Sequence, residues 1–168
     1  MKKAGEYVNF IKEAAKNGME QLRDFLWSMD TKYTTWDDLM DHFKEYGSTL
    51  FQAKNIYFDF QYLLNDEIPQ QSSSTRFNLY RIYKEALGNI LKHAQARNVQ
   101  AVVSLSSKEI EMKIKDDGVG FIPEQVSQND GHYGIKNIQK RIKAMGGVFR
   151  IDTNREKGAF VYVKIPIG

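Results

Sequence analysis

Two hydrophobic periodicities alternate along the 168 residues of this chain. In the first segment the apolar positions are three and four residues apart, at Val8, Ile11, Ala15, Gly18, Leu22, Phe25 and Met29. This spacing predicts a helix that pairs with another helix, although a helix packed on its own domain has the same pattern. After a polar break, Thr35-Trp36-Asp37-Asp38 predicts the capped start of a second helix.

Strand patterns begin near Asn55, where every second residue from Ile56 to Tyr62 is apolar or aromatic. The same period-two alternation returns in two pairs of segments, and each pair predicts an antiparallel hairpin. The first pair is Val99–Leu105 with Glu109–Lys115, and the second is Val148–Asp152 with Ala159–Ile165. Because each of these strands has one apolar face, one side of the resulting sheet is expected to be buried.

Two further helices separate these strands. One is predicted from about Thr75 to Ala96, and the other ends at Gly146-Gly147 after placing Ile135, Ile138, Ile142 and Met145 on one face. Helices that alternate with hairpins predict an α+β fold. We expect a two-layer α/β sandwich in which helices cover one face of a mixed, mostly antiparallel sheet, preceded by N-terminal helices.

Composition narrows the class of protein. Hydrophobic residues make up 42% of the chain, which favours a folded core over disorder. The 24 basic and 21 acidic residues form no basic block, so we expect neither nucleic-acid nor membrane binding by this chain. Without cysteine it has no disulfide or thiolate chemistry. No apolar run approaches the ~18 residues of a membrane span and no signal peptide is evident, so a soluble domain is expected.

One face of the Thr75–Ala96 helix carries candidate chemistry. Glu85, Asn89, Lys92 and His93 are spaced to share that face, and apolar residues occupy the adjoining one. Carboxylate and amide oxygens are ligands suited to Mg²⁺, and the lysine is suited to balance phosphate charge. The alternative is a solvated helix face with an i,i+4 pair.

A second candidate lies at the exit of the Glu109–Lys115 strand. There Asp116 is followed by Gly118 and Gly120, an acceptor for an amine beside backbone that a flat ligand can approach closely. An ordinary turn explains these residue types equally well. The chain has no Walker-type phosphate loop, no dinucleotide fingerprint and no zinc-ligand spacing among its 3 histidines.

Three segments in a fixed order carry a family resemblance. They are Glu85 to Ala94, Asp116 to Phe121, and Gly131 to Arg141 with Met145-Gly146-Gly147. They resemble the N box and the two glycine boxes of sensor histidine kinases, in an ATPase superfamily shared with Hsp90, gyrase and MutL. The Lys-His-Ala sequence that ends the first segment is similar to that of kinases related to nitrate and membrane-fluidity sensors. The resemblance covers about Asn55 to Ile165 and implies a Bergerat-type ATP-binding fold.

The resemblance also implies roles for individual residues. Asn89 would coordinate Mg²⁺, and Glu85 would polarise or accept a proton near the γ-phosphate of ATP. Asp116 would bind the adenine amino group. The other residues implied in ATP binding are Lys92 and His93 at the phosphates, Gly118 and Gly120 around the base, and Tyr133, Gly134 and Ile135 at a phosphate-facing helix start. Residues 122–133 would form a lid, and the chemistry would be in-line phosphoryl transfer.

The chain departs from the family pattern in three places. His132 stands where the second glycine box has a glycine, Ala159 follows Gly158 where the family has threonine, and no phosphoacceptor box is visible. His42 lacks the acidic residue that normally follows the acceptor. We therefore expect residues 1–33 to be the end of a dimerisation hairpin with its linker, and residues 34–168 to be the ATP-binding catalytic domain.

The implied whole protein is a cytoplasmic histidine kinase, or the cytoplasmic part of a membrane-bound sensor. Its expected partners are an upstream phosphoacceptor domain, a response regulator and a second copy of itself. Two alternatives share the same pocket: an anti-sigma-factor serine kinase, and an interaction module that has lost turnover. The helical seam of residues 8–29 and the sequence Lys92-His93-Ala94 argue against the serine kinase.

Overall fold

A computed structural model describes residues 2–30, 35–65, 67–69, 71–120, 133–153 and 158–167. The helices are α1 (Lys2–Met29), α2 (Trp36–Gln52), α3 (Ser73–His93) and α4 (Tyr133–Ala144). The strands are β1 (Tyr57–Leu64), β2 (Asn98–Leu105), β3 (Glu109–Asp116), β4 (Val148–Thr153) and β5 (Ala159–Pro166). Every predicted helix and strand is present, and the predicted α+β class is confirmed.

The strands form one sheet in the order β1-β2-β3-β5-β4. β1 and β2 are parallel because α3 connects them as a crossover, and the other pairs are antiparallel. In β2 and β3 alternate residues are buried, and the apolar ones are Val99, Ala101, Val103, Leu105, Ile110, Met112 and Ile114. The predicted mixed, mostly antiparallel sheet with one buried face is therefore confirmed.

Helix α3 lies over the buried face of the sheet. The apolar face expected beside its polar face is buried, at Leu79, Tyr83, Ala86 and Ile90, followed by Ala94, and Tyr80, Ile82 and Leu87 are buried as well. The helix ends at His93 rather than Ala96, because Gln95 adopts a left-handed backbone with φ of 53°. Helix α4 buries Ile138 and Ile142 in the same layer.

The helix ends follow local sequence rules. Thr35 and Asp38 form the predicted capping box at the start of α2, with the Thr35 side chain accepting from the Asp38 N–H. After α4, Gly146 has φ of 69° and donates to the Lys143 carbonyl, while the Gly147 N–H donates to the Ile142 carbonyl. This pair of bonds is a Schellman motif, so the predicted glycine stop is confirmed.

The edge strand β1 differs in one detail from its expected pattern. Phe58 and Phe60 are half-buried as predicted, but the Tyr62 side chain is 39% exposed. Its hydroxyl donates to the Asp37 carboxylate at 2.5 Å, which connects the strand to the first turn of α2.

Helix α1 packs on the domain through its C-terminal part. Asp24 is buried there, and the Trp27 ring stacks on His42 with their centroids 4.1 Å apart. Several large apolar residues of its earlier turns, among them Val8, Phe10 and Ile11, are more than half exposed, as are Leu22 and Met29. Packing on its own domain thus accounts for only part of the apolar face. Within the described ranges, no helix is long and apolar enough to cross a membrane.

Candidate functional site

The polar face predicted on α3 is present. Glu85 and Asn89 are half-buried, whereas Lys92 and His93 are exposed near the end of the helix. The opposite face of α3 is packed on the sheet, so the backbone that carries these four side chains is held by the core.

The start of α4 approaches this face. A side chain at Gly134 would collide with the Glu85 carboxylate, and its Cβ would lie 3.1 Å from the amide oxygen of Asn89. The first N–H groups of a helix have no partner within the helix, and its N-terminus carries partial positive charge. Two side-chain oxygens and a helix N-terminus therefore meet at Gly134, an arrangement suited to a cation bound together with phosphate.

A hydrogen bond connects α4 to α3 away from this junction. The Arg141 guanidinium donates to the side-chain oxygen of Asn78 at 2.9 Å. Burial lowers the pKa of Arg141, and the charge of Arg81 acts in the same direction while that of Glu85 opposes it. The sequence placed Arg141 only at the end of the segment that resembles the second glycine box. In the structure its side chain also holds α4 alongside α3, the helix that carries Glu85.

Asp116 lies at the end of β3 with 2% of its surface exposed. Its Oδ1 accepts a hydrogen bond of 2.8 Å from the Gly118 N–H, and the Ala159 N–H also donates to the carboxylate. Burial raises the pKa of Asp116, and these two bonds oppose the shift. A buried carboxyl held by main-chain donors is a rigid acceptor, as the predicted recognition of an amine requires.

Its neighbour Asp117 has a different environment. One of its oxygens accepts from the N–H groups of Arg97 and Asn98, both at 2.8 Å, and the other accepts from the Asn98 side chain. The Asn98 side chain is the main reason that the pKa of Asp117 is lowered. Asp117 therefore fixes the start of β2, a role that local sequence spacing did not indicate.

The two predicted glycines have distinct structural reasons. Gly118 packs against the Ala94 carbonyl so closely that a side chain would collide with it, and the Val119 N–H donates to that same carbonyl at 2.7 Å. Gly120 has φ of 64°, a left-handed conformation that favours glycine. The turn after β3 is thus joined to the C-terminal end of α3.

The predicted residues therefore form two groups along α3. In the first group, Glu85 and Asn89 meet Gly134, and the helix start at Tyr133 and the half-buried Ile135 lie beside this junction. In the second group, Asp116, Gly118 and Gly120 belong to the turn that contacts Ala94. Lys92 and His93 lie between these groups along the chain. Residues 122–132 of the predicted lid, including Gly131 and His132 of the second glycine box, lie outside the described residues.

Comparison with known proteins gives the same assignment as the motifs. Residues 75–168 match the family described as histidine kinase-, DNA gyrase B-, and HSP90-like ATPase. The chain is 26% identical over 163 residues to the histidine-protein kinase/phosphatase DegS of Brevibacillus brevis, which covers 95% of the chain and 40% of DegS. It is 30% identical over 130 residues to the sensor histidine kinase YdfH of Bacillus subtilis, which covers 77% of the chain and 30% of YdfH. The chain thus spans less than half the length of either relative.

Solved structures with the same fold are also histidine kinases. One is the histidine kinase domain of the blue-light activated kinase EL346 from Erythrobacter litoralis, with a TM-score of 0.65 and 18% identity. The match covers 88% of the present chain and 71% of the chain in that structure. Full-length ShkA, solved with AMPPNP, matches 96% of the chain and 38% of its own, with a TM-score of 0.64 and 18% identity. These likenesses confirm the predicted fold.

Proposed function

We propose that this chain, which belongs to the family of histidine kinase-, DNA gyrase B- and HSP90-like ATPases, is the ATP-binding catalytic domain of a two-component histidine kinase and binds Mg·ATP in a cleft beside α3. The observation that carries this proposal is the pair of junctions along one helix. Gly134 meets Glu85 and Asn89, and Gly118 meets Ala94. Ala94 lies at the end of the same helix, five residues after Asn89 and nine residues after Glu85. At about 1.5 Å of helix per residue, the two junctions are roughly 8–14 Å apart, which is comparable with the length of a nucleoside triphosphate.

The base is proposed to bind at the Asp116 end of this cleft. The Asp116 carboxyl is a rigid acceptor for the amino group of adenine, and Gly118 and Gly120 carry no side chain that would obstruct the base. Asp117 is already bonded to Arg97 and Asn98, which supports Asp116 as the residue that contacts the base.

The phosphates are proposed to bind at the Glu85 end. Asn89 and Glu85 supply hard oxygens, and the start of α4 at Tyr133, Gly134 and Ile135 supplies backbone N–H groups and partial positive charge. Mg²⁺, when bound, neutralises phosphate charge. Asn89 would hold the metal, and Glu85 would polarise or accept a proton near the γ-phosphate of ATP. Lys92 and His93, exposed at the end of α3, would contact the phosphates.

The phosphoryl acceptor is proposed to lie on another segment of the parent protein. His42 is stacked on Trp27 and its ring centroid lies 4.6 Å from that of Tyr80, which supports a packing role for this histidine. We assign residues 1–33 to the end of a dimerisation hairpin and its linker, and 34–168 to the catalytic domain. The parent would be a dimeric, cytoplasmic kinase, or the cytoplasmic part of a sensor, that passes phosphate to a response regulator.

Transfer in trans tests this function. The chain is incubated with Mg·ATP and a protein that carries the dimerisation hairpin of a related sensor kinase, and the phosphorylated product is treated with acid. We expect acid-labile phosphate on the hairpin, as histidine phosphorylation requires. Acid-stable phosphate on serine would favour the serine kinase instead. ATP binding without transfer to any hairpin would favour a module that has lost turnover.

A further inference from the structure

Gly158 approaches Asp116 more closely than any other residue type would allow. It is buried, its φ is 74°, and a side chain at this position would collide with the Asp116 carbonyl oxygen. The Cβ of that side chain would also lie 3.0 Å from Asp116 Oδ1. Both the conformation and the space therefore demand glycine at the entrance to β5.

This approach determines how the Asp116 carboxyl is held. Its donors are the main-chain N–H groups of Gly118, 2.8 Å from Oδ1, and of Ala159, the residue after Gly158. Because the Ala159 donor belongs to the backbone of β5, the orientation of the carboxyl depends on the distance between the end of β3 and the start of β5. Glycine at position 158 is what permits that distance.

We propose that Gly158 is a positioning residue that sets the selectivity of the site for purines with a 6-amino group. The inference rests on the proposed nucleotide function. An ionised carboxylate only accepts hydrogen bonds, so it pairs with the amino group of adenine and opposes a 6-oxo group. A site built around a buried polar group discriminates strongly against a ligand that leaves this group unpaired.

The test compares the affinities for ATP and for purine riboside triphosphate, which lacks the 6-amino group. Because ATP can make one more hydrogen bond to a charged group, we expect the unaltered chain to bind ATP about 10- to 100-fold more tightly than purine riboside triphosphate. In Gly158→Ala the preference is expected to fall to less than about threefold, mainly through weaker ATP binding. The matched control is Gly146→Ala, since Gly146 has φ of 69° but its added Cβ would meet, among the residues that the structure describes, only Pro166, at 3.6 Å. Gly146 and Gly158 lie near opposite ends of β5, so the control carries similar backbone strain away from Asp116.

The outcomes separate the two levels of the proposal. An unaltered preference in Gly158→Ala, or an equal loss in Gly146→Ala, overturns the role of Gly158. If Asp116→Asn abolishes the preference while Gly158→Ala retains it, the nucleotide site stands and only this inference fails. If the unaltered chain binds neither nucleotide, the proposed function itself fails.

A second measurement needs no substitution and applies even if Gly158→Ala does not fold. Amide resonances of the unaltered chain are followed by NMR during titration with each nucleotide. The Gly118 and Ala159 amides are expected to shift with ATP and to shift much less with purine riboside triphosphate, because both amides bond the carboxyl that reads the 6-amino group. Equal shifts with the two nucleotides would contradict the proposal.

Discussion

The carboxylate of Asp24 accepts two hydrogen bonds of 3.0 Å from the ammonium group of Lys84, which directly precedes Glu85 on α3. The Arg81 guanidinium lies 3.9 Å from the same carboxylate. The Lys84 ammonium also faces the rings of Tyr46 and Tyr80, at 5.1 and 5.4 Å from their centroids. The end of α1 is thus bound to the helix that carries the candidate phosphate-site residues.

Breaking this ion pair should loosen α1 and destabilise the domain. Asp24 is buried, so Asp24→Asn leaves the Lys84 charge without its partner, and we expect the free energy of unfolding to fall by about 1–3 kcal/mol. Urea unfolding of Asp24→Asn, Lys84→Met and the double variant measures the coupling between the two residues. A coupling energy below about 0.5 kcal/mol would show that the pair contributes little.

A side chain at Gly134 should weaken binding at the phosphate end of the site. In Gly134→Ala the new methyl group meets the Glu85 carboxylate and crowds Asn89, so we expect Mg·ATP affinity to fall at least about tenfold. Calorimetric titration with an ATP analogue measures this.

Gly88→Ala is the matched helical control for Gly134→Ala, because among the described residues a Cβ at Gly88 would meet no atom within 4 Å outside its chain neighbours and the backbone of its own helix. Alanine there should raise stability by up to about 1 kcal/mol through helix propensity and leave affinity unchanged. Equal affinities in Gly134→Ala and Gly88→Ala would contradict the close junction at Gly134.

Asp117→Asn should destabilise the protein in a pH-dependent way. The pKa of Asp117 is lowered in the folded state, so its stabilisation is complete above the unfolded value of about 3.9 and is lost as the pH falls through the folded pKa. We expect a loss of about 0.5–1.5 kcal/mol at neutral pH, modest because the side chain is exposed, that shrinks towards zero in acid. Urea unfolding at several pH values measures this loss of stability. The control is Asp152→Asn, which removes another exposed carboxylate, on β4. A loss that is constant with pH would contradict the role of the Asp117 charge.

Local patterns in the sequence predicted most of the fold because the interactions concerned are local. The Thr35–Asp38 capping box and the Gly146 stop depend on residues within one or two helical turns. The buried faces of α3, β2 and β3 follow from periodicity alone. The helix that was predicted to include Gln95 ends two residues before it, at His93. This error concerns a helix boundary, which the propensities of individual residues determine poorly.

Contacts between distant segments were beyond such patterns. The spacing of apolar residues in α1 does not reveal that Asp24 is buried against Lys84, 60 residues later in the chain. Likewise, nothing near Asp117 indicates that it binds Arg97 and Asn98, and only the sheet register brings Gly158 to Asp116. The family motifs named the candidate site residues, whereas the folded chain explains why several of them must be glycine.

Titration of the chain with a non-hydrolysable ATP analogue, with and without Mg²⁺, tests the central claim most directly. We predict saturable binding that Mg²⁺ strengthens, and loss of the Mg²⁺-dependent part in Asn89→Ala, because the amide oxygen of Asn89 at the Gly134 junction would hold the metal. The absence of saturable binding by the unaltered chain, or the same Mg²⁺ dependence in Asn89→Ala, would contradict it.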